Sequence, residues 1–408
     1  MPESEHEPYR YGFDEPYRLE PTPLYAGLRS AEPVARVRLP YGQEGWLVTR
    51  YESVRTVLSD PRFSRAAAVA AGERIPRPGP LPPRSNPMTA VDPPEHTRLR
   101  RLVAADFTKR RIERRRPRAL QVATELIDDM IAAGPPADLV ADFAVRLPVM
   151  MICEVLGIPQ GERGRFSEWA VPLFGRTAFT DGQVGSAHTT MREFMAGLVA
   201  EKRRNPRDDL LTKLVRARDE RNDLTEDQLI GLGVSLLSAG HHSTAHQIAN
   251  CAYLLLTHPD QLAWLRADIT RVPQAVEEML RFIPLAAGAP NGEGHPRVAT
   301  ADVELDGVTI PAGEPVLASI ISANRDEEVF PEAHRLDITR GDRSSPHIAF
   351  GHGPHHCLGA ELARMEIQVA TACLLTRFPA LRLAVPEEEV PWGKGMMTRG
   401  PARLPVAW

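Results

Sequence analysis

The sequence has few of the features that mark secreted or membrane-spanning proteins. Only four of its 408 residues are cysteines and no two form a CxxC pair, so neither a disulfide framework nor a four-cysteine zinc site is predicted. No run of about eighteen apolar residues occurs, and no basic start is followed by an apolar stretch. We therefore expect a cytoplasmic protein without a membrane partner.

An excess of charge of one sign is also absent. The 49 basic and 53 acidic residues give a formal net charge of -4, which does not favour nucleic acid as a partner. Neither GxGxxG nor GxxxxGK[ST] occurs, so we expect no flavin or nicotinamide module in this chain. Hydrophobic residues make up 43% of the sequence, enough to fill a large core.

Patterns of helical period dominate what is present. Helices are predicted at residues 51–59, 96–107, 118–133, 137–156, 186–204, 208–218, 226–256 and 358–376. Strands are few: residues 34–38 and 45–49 predict a hairpin, and residues 301–315 predict short strands with tight turns. Residues 65–94 are rich in Pro, Gly, Ala and Arg, which predicts a long loop without regular structure.

The helix predicted over residues 226–256 contains a conflict. Thr225 and Gln228 predict a capping box at its start, and its first turns are apolar on nearly all sides, so it should lie inside the protein. Residues 239–244, Ala-Gly-His-His-Ser-Thr, then place a glycine and polar side chains in its middle. A buried helix disfavours both, and such local conflicts often mark functional sites.

A glycine-rich loop over residues 350–360 gives the strongest functional signal. It ends in Cys357 at a predicted helix start, where backbone N–H groups and the helix dipole favour a thiolate, the form of cysteine that binds metals. Its glycines would let a flat group approach the backbone.

Two other interpretations of this loop stay open on the residues alone. Cys357 could be a buried structural cysteine. A zinc site could instead use nearby histidines, although four ligands from six consecutive residues fit a tetrahedron badly. The pair His242 and His246 has helical i, i+4 spacing but lacks the glutamate base of a zinc protease. The loop histidines concerned are His352, His355 and His356.

The loop resembles the haem-binding loop of the cytochrome P450 family. The matching residues are Phe350, Gly351, Gly353, His355, Cys357, Gly359 and Ala363. The resemblance implies a mainly α protein with the cytochrome P450 fold, a triangular helical domain with a small β-rich subdomain, as one domain over residues 1–408. It also implies haem b, iron protoporphyrin IX, with Cys357 as the ligand of the metal. Phe350, Gly351 and Gly359 would lie against the cofactor.

Other parts of the chain resemble the same family. His96 and Arg100 match its HxxxR helix, and together with Arg297 and His355 they are expected to bind the two haem propionates. Scattered solvated charges are the alternative for each residue taken alone. The motif Glu278-x-x-Arg281 matches the family's Glu-x-x-Arg helix, and Arg335 in a later loop is expected to complete a buried structural network.

The resemblance also places the middle of the long helix across the haem, where Ala239 and Gly240 fit the family. His242 stands where the family has an acid and Ser243 where it has a threonine, with Thr244 next. We expect Gly240, His242, Ser243 and Thr244 to be catalytic. Ser243 can donate to bound dioxygen, and His242 can relay protons if its pKa stays near its ordinary 6.5. His242 could equally be a core histidine that points elsewhere.

The function implied is a monooxygenase that inserts one oxygen atom of O2 into a small organic molecule, in a tailoring step of bacterial secondary metabolism. The alternative is oxidative C–C, C–N or C–O coupling of a peptide-like or aromatic substrate, which weakened proton delivery would suit. A haem-binding protein without turnover is a third possibility. Substrate contacts are expected from residues 65–91, 169–180, 236–242, 285–290 and 396–397.

The family's electron supply implies further partners. Electrons would come one at a time from NAD(P)H through a separate ferredoxin reductase and ferredoxin. Arg100, Arg101 or Arg111 on a basic face near the haem could dock an acidic ferredoxin.

Overall fold

Helices form most of the protein. A computed structural model describes residues 7–10, 18–76, 87–162, 169, 171–174, 178–286, 295–340 and 346–408. In that part the helices are α1 (Leu24–Ala31), α2 (Tyr51–Ser59), α3 (Arg65–Ala71), α4 (Glu95–Ala104), α5 (Lys109–Glu113), α6 (Arg116–Ala133), α7 (Arg146–Leu156), α8 (Asp181–Arg204), α9 (Leu210–Asp219), α10 (Glu226–Ala239), α11 (His242–Thr257), α12 (Pro259–Ala267), α13 (Val272–Phe282), α14 (Ile320–Ala323) and α15 (Ala360–Arg377). The predicted mainly α class is confirmed.

Short strands form the remaining regular structure. They are β1 (Tyr9–Arg10), β2 (Val34–Arg38), β3 (Gly45–Val48), β4 (Phe63–Ser64), β5 (Ala137–Asp138), β6 (Arg297–Ala299), β7 (Val303–Leu305), β8 (Val308–Ile310), β9 (Pro315–Ala318), β10 (Arg382–Leu383) and β11 (Pro405–Ala407). One sheet has the order β1-β2-β3-β9-β6-β4, a second β10-β11-β5, and β7 pairs with β8. Strands β2 and β3 form the predicted antiparallel hairpin, with Val34 opposite Val48.

The main hydrophobic core lies among the helices. Helix α15 packs against α6, α11 and α13, so the element that follows the cysteine loop contacts the centre of the helical region. A separate core joins α2 to the sheet through residues such as Tyr51 and Phe330. Among the described residues, we find no helix with the length and apolar composition that a bilayer crossing requires.

The predicted central helix is two helices. Thr225 and Gln228 form the expected capping box, in which the Gln228 N–H donates to the Thr225 hydroxyl over 3.1 Å. Helix α10 ends at Ala239, however, and α11 begins at His242. Gly240 lies at the break against α7: a Cβ there would come within 2.6 Å of Cγ1 of Ile152. The glycine therefore permits close packing of α10 on α7.

The loop predicted over residues 65–94 contains helical structure. Helix α3 and a 3-10 turn at Gly72–Arg74 occupy its first part, while residues 77–86 lie outside the described residues. Ser64 caps α3 by accepting the Ala67 N–H over 2.8 Å, and Asp92 accepts the Arg65 N–H over 2.9 Å. The alanines after Arg65 favour a helix once these caps satisfy its first N–H groups, and this outweighs the surrounding prolines and glycines.

The predicted buried ion network has a different third member. Arg281 donates to Glu278 through Nε (2.7 Å) and Nη2 (2.8 Å), as expected. Arg335 does not join them: its side chain is 61% exposed and lies 3.7 Å from Glu332. Arg340 takes that place, with Nε 3.3 Å from Oε2 of Glu278 and a side chain only 13% exposed.

Backbone geometry explains why Arg335 was the wrong choice. The chain turns at Glu332, which has a positive φ of 52°, and the Arg335 N–H donates back to the Glu332 carbonyl over 2.9 Å. This turn leaves the Arg335 side chain in solvent. The Asp337 N–H then donates to Oε1 of Glu278 over 3.0 Å, which brings the following residues, including Arg340, to the carboxylate.

Candidate functional site

The loop before α15 folds tightly around Cys357. The Cys357 N–H donates to the Phe350 carbonyl over 2.8 Å, and the Gly351 N–H donates to the Ile348 carbonyl over 2.8 Å. Gly351 and Gly353 both have positive φ, 75° and 72°. At Gly353 a Cβ would also come within 2.6 Å of the Leu58 carbonyl oxygen, so only glycine fits between this loop and α2.

The environment of the Cys357 side chain combines exposure with burial. The side chain is accessible at the surface of the chain, yet burial is the main influence on its thiol and raises the pKa, which the Gly359 N–H, Arg100 and Arg364 only partly offset. Helix α15 begins three residues later, at Ala360, so the helix start does not by itself make the predicted thiolate. Coordination of a metal would displace the proton instead.

The other cysteines have different surroundings. Cys153 and Cys251 are buried in the helical core and Cys373 on α15 is half-buried. In the part of the chain that the structure describes, no group of three or more His, Cys, Asp or Glu residues could hold a metal ion. The loop histidines diverge: the His355 ring lies 4.2 Å from His96, and the His356 ring lies 6.4 Å from Phe350. The zinc interpretation therefore finds no set of ligands there.

The four predicted propionate ligands are brought to the same region. His96 and Arg100 lie one turn apart on α4, the His96 ring contacts His355, and Arg297 begins β6. Burial, together with nearby Arg65, lowers the pKa of Arg297 to about 9, and burial, together with His96 and Arg297, lowers the pKa of His355 to about 3. Burial is the larger cause of both shifts, and it leaves His355 neutral while Arg297 stays charged.

This cationic cluster has little anionic compensation of its own. Among the described residues, no carboxylate forms an ion pair with Arg100 or Arg297, and Nε2 of His355 is buried without a hydrogen-bond partner. Asp92 is the acid whose charge acts on Arg297 and His355. A buried cation is unfavourable unless an anion lies beside it, and the two propionates of haem would be such anions.

Two further basic residues, which the sequence did not single out, belong to the same cluster. Arg65 is only 7% exposed and donates to the carbonyl groups of Thr89 (3.2 Å) and Pro296. Burial, Arg65 and Arg297 together lower the pKa of His295 to about 3. Since His295 precedes a predicted ligand by two residues, its position was a usable signal. Nothing local connected Arg65 to residues more than two hundred positions away.

These observations fit haem. Cys357 would hold the iron, Phe350 and the loop glycines would lie against the macrocycle, and the cationic cluster, with His96, Arg100, Arg297 and His355, would hold the propionates. Haem bound there supplies an iron centre that activates dioxygen. The protein's part is to orient the group, to place charge around it and to control the access of water.

The residues at the helix break differ in their exposure. Ala239 is exposed although α10 is otherwise mostly buried. The Ser243 hydroxyl is 3.4 Å from the Ala239 carbonyl, and Thr244 is buried. Gly240 packs against α7, and this close packing is enough to explain a glycine at this position without any contact to oxygen.

His242 is held in a neutral form. Its ring centre lies 4.4 Å from that of His246, and burial, with His246 and His241 nearby, lowers the pKa of His242 to about 2. The ordinary pKa of about 6.5 that favoured a proton relay does not apply here. A neutral imidazole can still pass a proton along hydrogen bonds, but it carries no charge at physiological pH.

His246 connects this helix to the C-terminal loop. Its Nδ1 is 2.8 Å from the Thr398 hydroxyl, and Asn250 donates to the Arg399 carbonyl over 2.8 Å. A Cβ at Gly400 would come within 2.8 Å of Cγ of His246. Residues 398–400 are thus fixed to α11.

Some of the predicted substrate contacts can be placed. Ala286 pairs with Thr398, and the Arg399 N–H donates to the Leu285 carbonyl over 2.6 Å, so these two segments are adjacent. The Trp169 ring lies 5.5 Å from Phe194 of α8. Residues 77–86, 170, 175–177 and 287–290 of the predicted contacts lie outside the described residues. Of the predicted docking residues, Arg101 and Arg111 are exposed, whereas Arg100 is half-buried near Cys357.

Comparison with known proteins agrees with this site. Residues 180–392 match the family model described as Cytochrome P450. The chain is 47% identical over 402 residues to "Mycinamicin IV hydroxylase/epoxidase" of Micromonospora griseorubida, covering 98% of this chain and 99% of the relative. It is 48% identical over 398 residues to "Nocardicin C N-oxygenase" of Nocardia uniformis subsp. tsuyamanensis, covering 98% of both.

A solved structure shows the same fold. The crystal structure of HinD with NMFT and NO superposes with a TM-score of 0.92 at 48% identity, and the match covers 99% of this chain and 100% of that one. The family uses haem b and O2 and takes electrons from NAD(P)H through redox partners. The full-length likeness, the matching family model and the cysteine loop lead to one conclusion: this chain belongs to the cytochrome P450 family and is a monooxygenase.

Proposed function

We propose that the protein inserts one oxygen atom of O2 into a small organic molecule, as a tailoring step of bacterial secondary metabolism, with Cys357 as the thiolate ligand of its haem. The observation that carries this proposal is the Cys357 sulfur, which is accessible in its loop and close enough to Arg100, a predicted propionate ligand, for that charge to act on it. Two relatives near half identity bear the names of a hydroxylase/epoxidase and an N-oxygenase, which supports oxygen insertion.

The first experiment compares the dithionite-reduced carbon monoxide complex of the native protein with that of Cys357→Ser. We expect a strongly red-shifted Soret band in the native protein and its complete loss in the variant, since only a thiolate ligand donates enough electron density. Cys373→Ser, a change at a half-buried cysteine on α15, is the matched control and should keep the band. A native band that is indifferent to Cys357 would exclude this cysteine as the ligand.

Electron delivery completes the proposal. A ferredoxin, reduced by NAD(P)H through its reductase in the cytoplasm, would dock at the basic surface that includes Arg101 and Arg111. Charge reversal at Arg101 should weaken reduction by ferredoxin at low ionic strength and leave the carbon monoxide spectrum unchanged. Equal reduction rates in the native and Arg101→Glu proteins would exclude a part for this residue.

Oxidative coupling is the second candidate, and the neutral His242 in the place of an acid is the observation that favours it. The two reactions differ in their atom balance: oxygen insertion leaves one atom of O2 in the product, whereas coupling removes two hydrogen atoms and leaves none. Turnover under ¹⁸O2 followed by mass spectrometry separates them. No NAD(P)H-dependent product with any redox partner would favour a haem protein without turnover.

A further inference from the structure

A second group of contacts lies behind the cysteine loop, on α13 and α15. Glu277 accepts hydrogen bonds from Nε of Arg364 over 2.8 Å and from Nη2 of Arg364 over 3.2 Å. Nε2 of His347 lies 3.0 Å from Oε2 of the same carboxylate. Although burial opposes it, these two partners lower the pKa of Glu277 to about 2, so the carboxylate is charged. Of the three residues, only Arg364 has appeared so far, as a charge that acts on the Cys357 thiol.

The direction of the hydrogen bonds can be assigned. The Ala349 N–H donates to Nδ1 of His347 over 3.2 Å, so this nitrogen carries no proton. Nε2 of His347 then carries the ring proton and donates it to Glu277. The backbone one residue before Phe350 is thereby connected through His347 and Glu277 to the guanidinium of Arg364.

Arg364 links these residues to the surroundings of the Cys357 sulfur. Its guanidinium carbon lies 4.6 Å from the centre of the Phe350 ring, an arrangement in which the cation faces the aromatic group. The Phe350 carbonyl accepts the Cys357 N–H over 2.8 Å. The positive charge of Arg364 is also close enough to act on the Cys357 thiol. The three residues therefore control both the position of Phe350 and a charge beside the sulfur.

We propose that His347, Glu277 and Arg364 are positioning residues that hold Phe350 and set the net positive charge beside Cys357, and that they thereby tune the reduction potential of the bound haem. The proposal rests on the proposed role of Cys357 as iron ligand. Reduction adds one negative charge to the haem, so a nearby cation favours it and a nearby carboxylate opposes it. Hydrogen bonds and charges around an axial ligand are recognised determinants of such potentials.

The test is the midpoint potential of the purified haem protein, measured without a redox partner. Glu277→Gln removes the carboxylate that makes the shorter contact with Arg364, at 2.8 Å, and should shift the potential to more positive values. Arg364→Gln should shift it in the opposite direction. Glu361→Gln is the matched control: it removes the other carboxylate that Arg364 contacts, at 3.2 Å, but keeps the contact between His347, Glu277 and Arg364. Its shift should be clearly smaller than that of Glu277→Gln.

Two results would overturn the proposal: an unchanged potential in Glu277→Gln, or a shift of equal size in Glu361→Gln. If Glu277→Gln does not retain haem, the sign of the shift in Arg364→Gln decides, and an unchanged or more positive potential contradicts the proposal. The carbon monoxide spectrum is recorded for every variant. A red-shifted band with unmoved potentials refutes the tuning alone, whereas a native protein without that band refutes the ligand assignment.

Discussion

The cysteine loop and the helix break are two regions with predicted functional residues, and they are built differently. Around Cys357 the chain uses glycines with positive φ and charged groups, and its residues fit the family position by position. Around His242 it buries three neutral histidines against one another and departs from the family's acid. The predicted cofactor side therefore keeps the pattern that the resemblance implies, and the departure from that pattern lies at the helix break.

The largest expected effect of this difference is on stability in acid. The pKa values of His241, His242 and His246 are about 4, 2 and 4 in the folded protein, mainly because of burial. An unfolded chain binds a proton at each near pH 6.5, so stability is full above that pH and falls as the pH drops toward 4. In that window, each histidine lowers the free energy of unfolding by about 1.4 kcal/mol for every unit by which the pH falls.

Urea unfolding at pH 7 and pH 5 measures this dependence. His246→Asn removes one of the buried histidines. Between pH 7 and pH 5, the free energy of unfolding of the variant should therefore fall by about 2 kcal/mol less than that of the native protein. His258→Asn, a change at the C-cap of α11 outside this cluster, is the control. If the variant and the native protein have the same pH dependence, the histidines on this side of the molecule do not control acid stability.

The ion network on the cofactor side provides the next effect. Arg340→Ala removes a partner of the buried Glu278 carboxylate and should lower the free energy of unfolding by about 3 kcal/mol. Arg335→Ala, five residues earlier and 61% exposed, should change it by less than about 0.5 kcal/mol. Thermal unfolding of the two variants decides between them, and equal losses would contradict the assignment of Arg340.

Glycines on the two sides should respond differently to a methyl group. Gly240→Ala forces a Cβ against Ile152 and should destabilise the protein by about 2 kcal/mol. Gly351→Ala meets no atom within 4 Å, so its cost is the backbone strain at φ 75°, about 1 kcal/mol. Gly197→Ala, in an open position on α8, should be neutral or stabilising. Urea midpoints in any other order would contradict this ranking.

His242→Asp should have the smallest effect on the cofactor site, and its main readout is catalysis. An acid beside Ser243 restores the family's usual arrangement, so we expect more product per electron and the same carbon monoxide spectrum. The measurement is the ratio of product and hydrogen peroxide to NAD(P)H consumed. Unchanged yield and product identity would show that His242 has no special part in proton delivery.

Sequence alone was most informative where the relevant residues are close together in the chain. The cysteine loop and the Thr225–Gln228 capping box are local patterns, and both have the predicted local structure. Arg65 and Arg340 were missed because their roles depend on segments that meet only in the folded chain, whereas His295 could have been found from its position two residues before Arg297. The helix at residues 65–71 was missed for a related reason, since one of its caps, Asp92, lies more than twenty residues away.

The attachment of the C-terminal loop to α11 has a consequence for altering substrate specificity. Thr398, Arg399 and Gly400 are tied to His246 and Asn250, and His246 in turn contacts the ring of His242. Libraries that diversify residues 396–400 for new substrates will therefore also disturb α11, which carries His242 and Ser243. Selection for a new product and selection for efficient use of electrons have to be applied together in this enzyme.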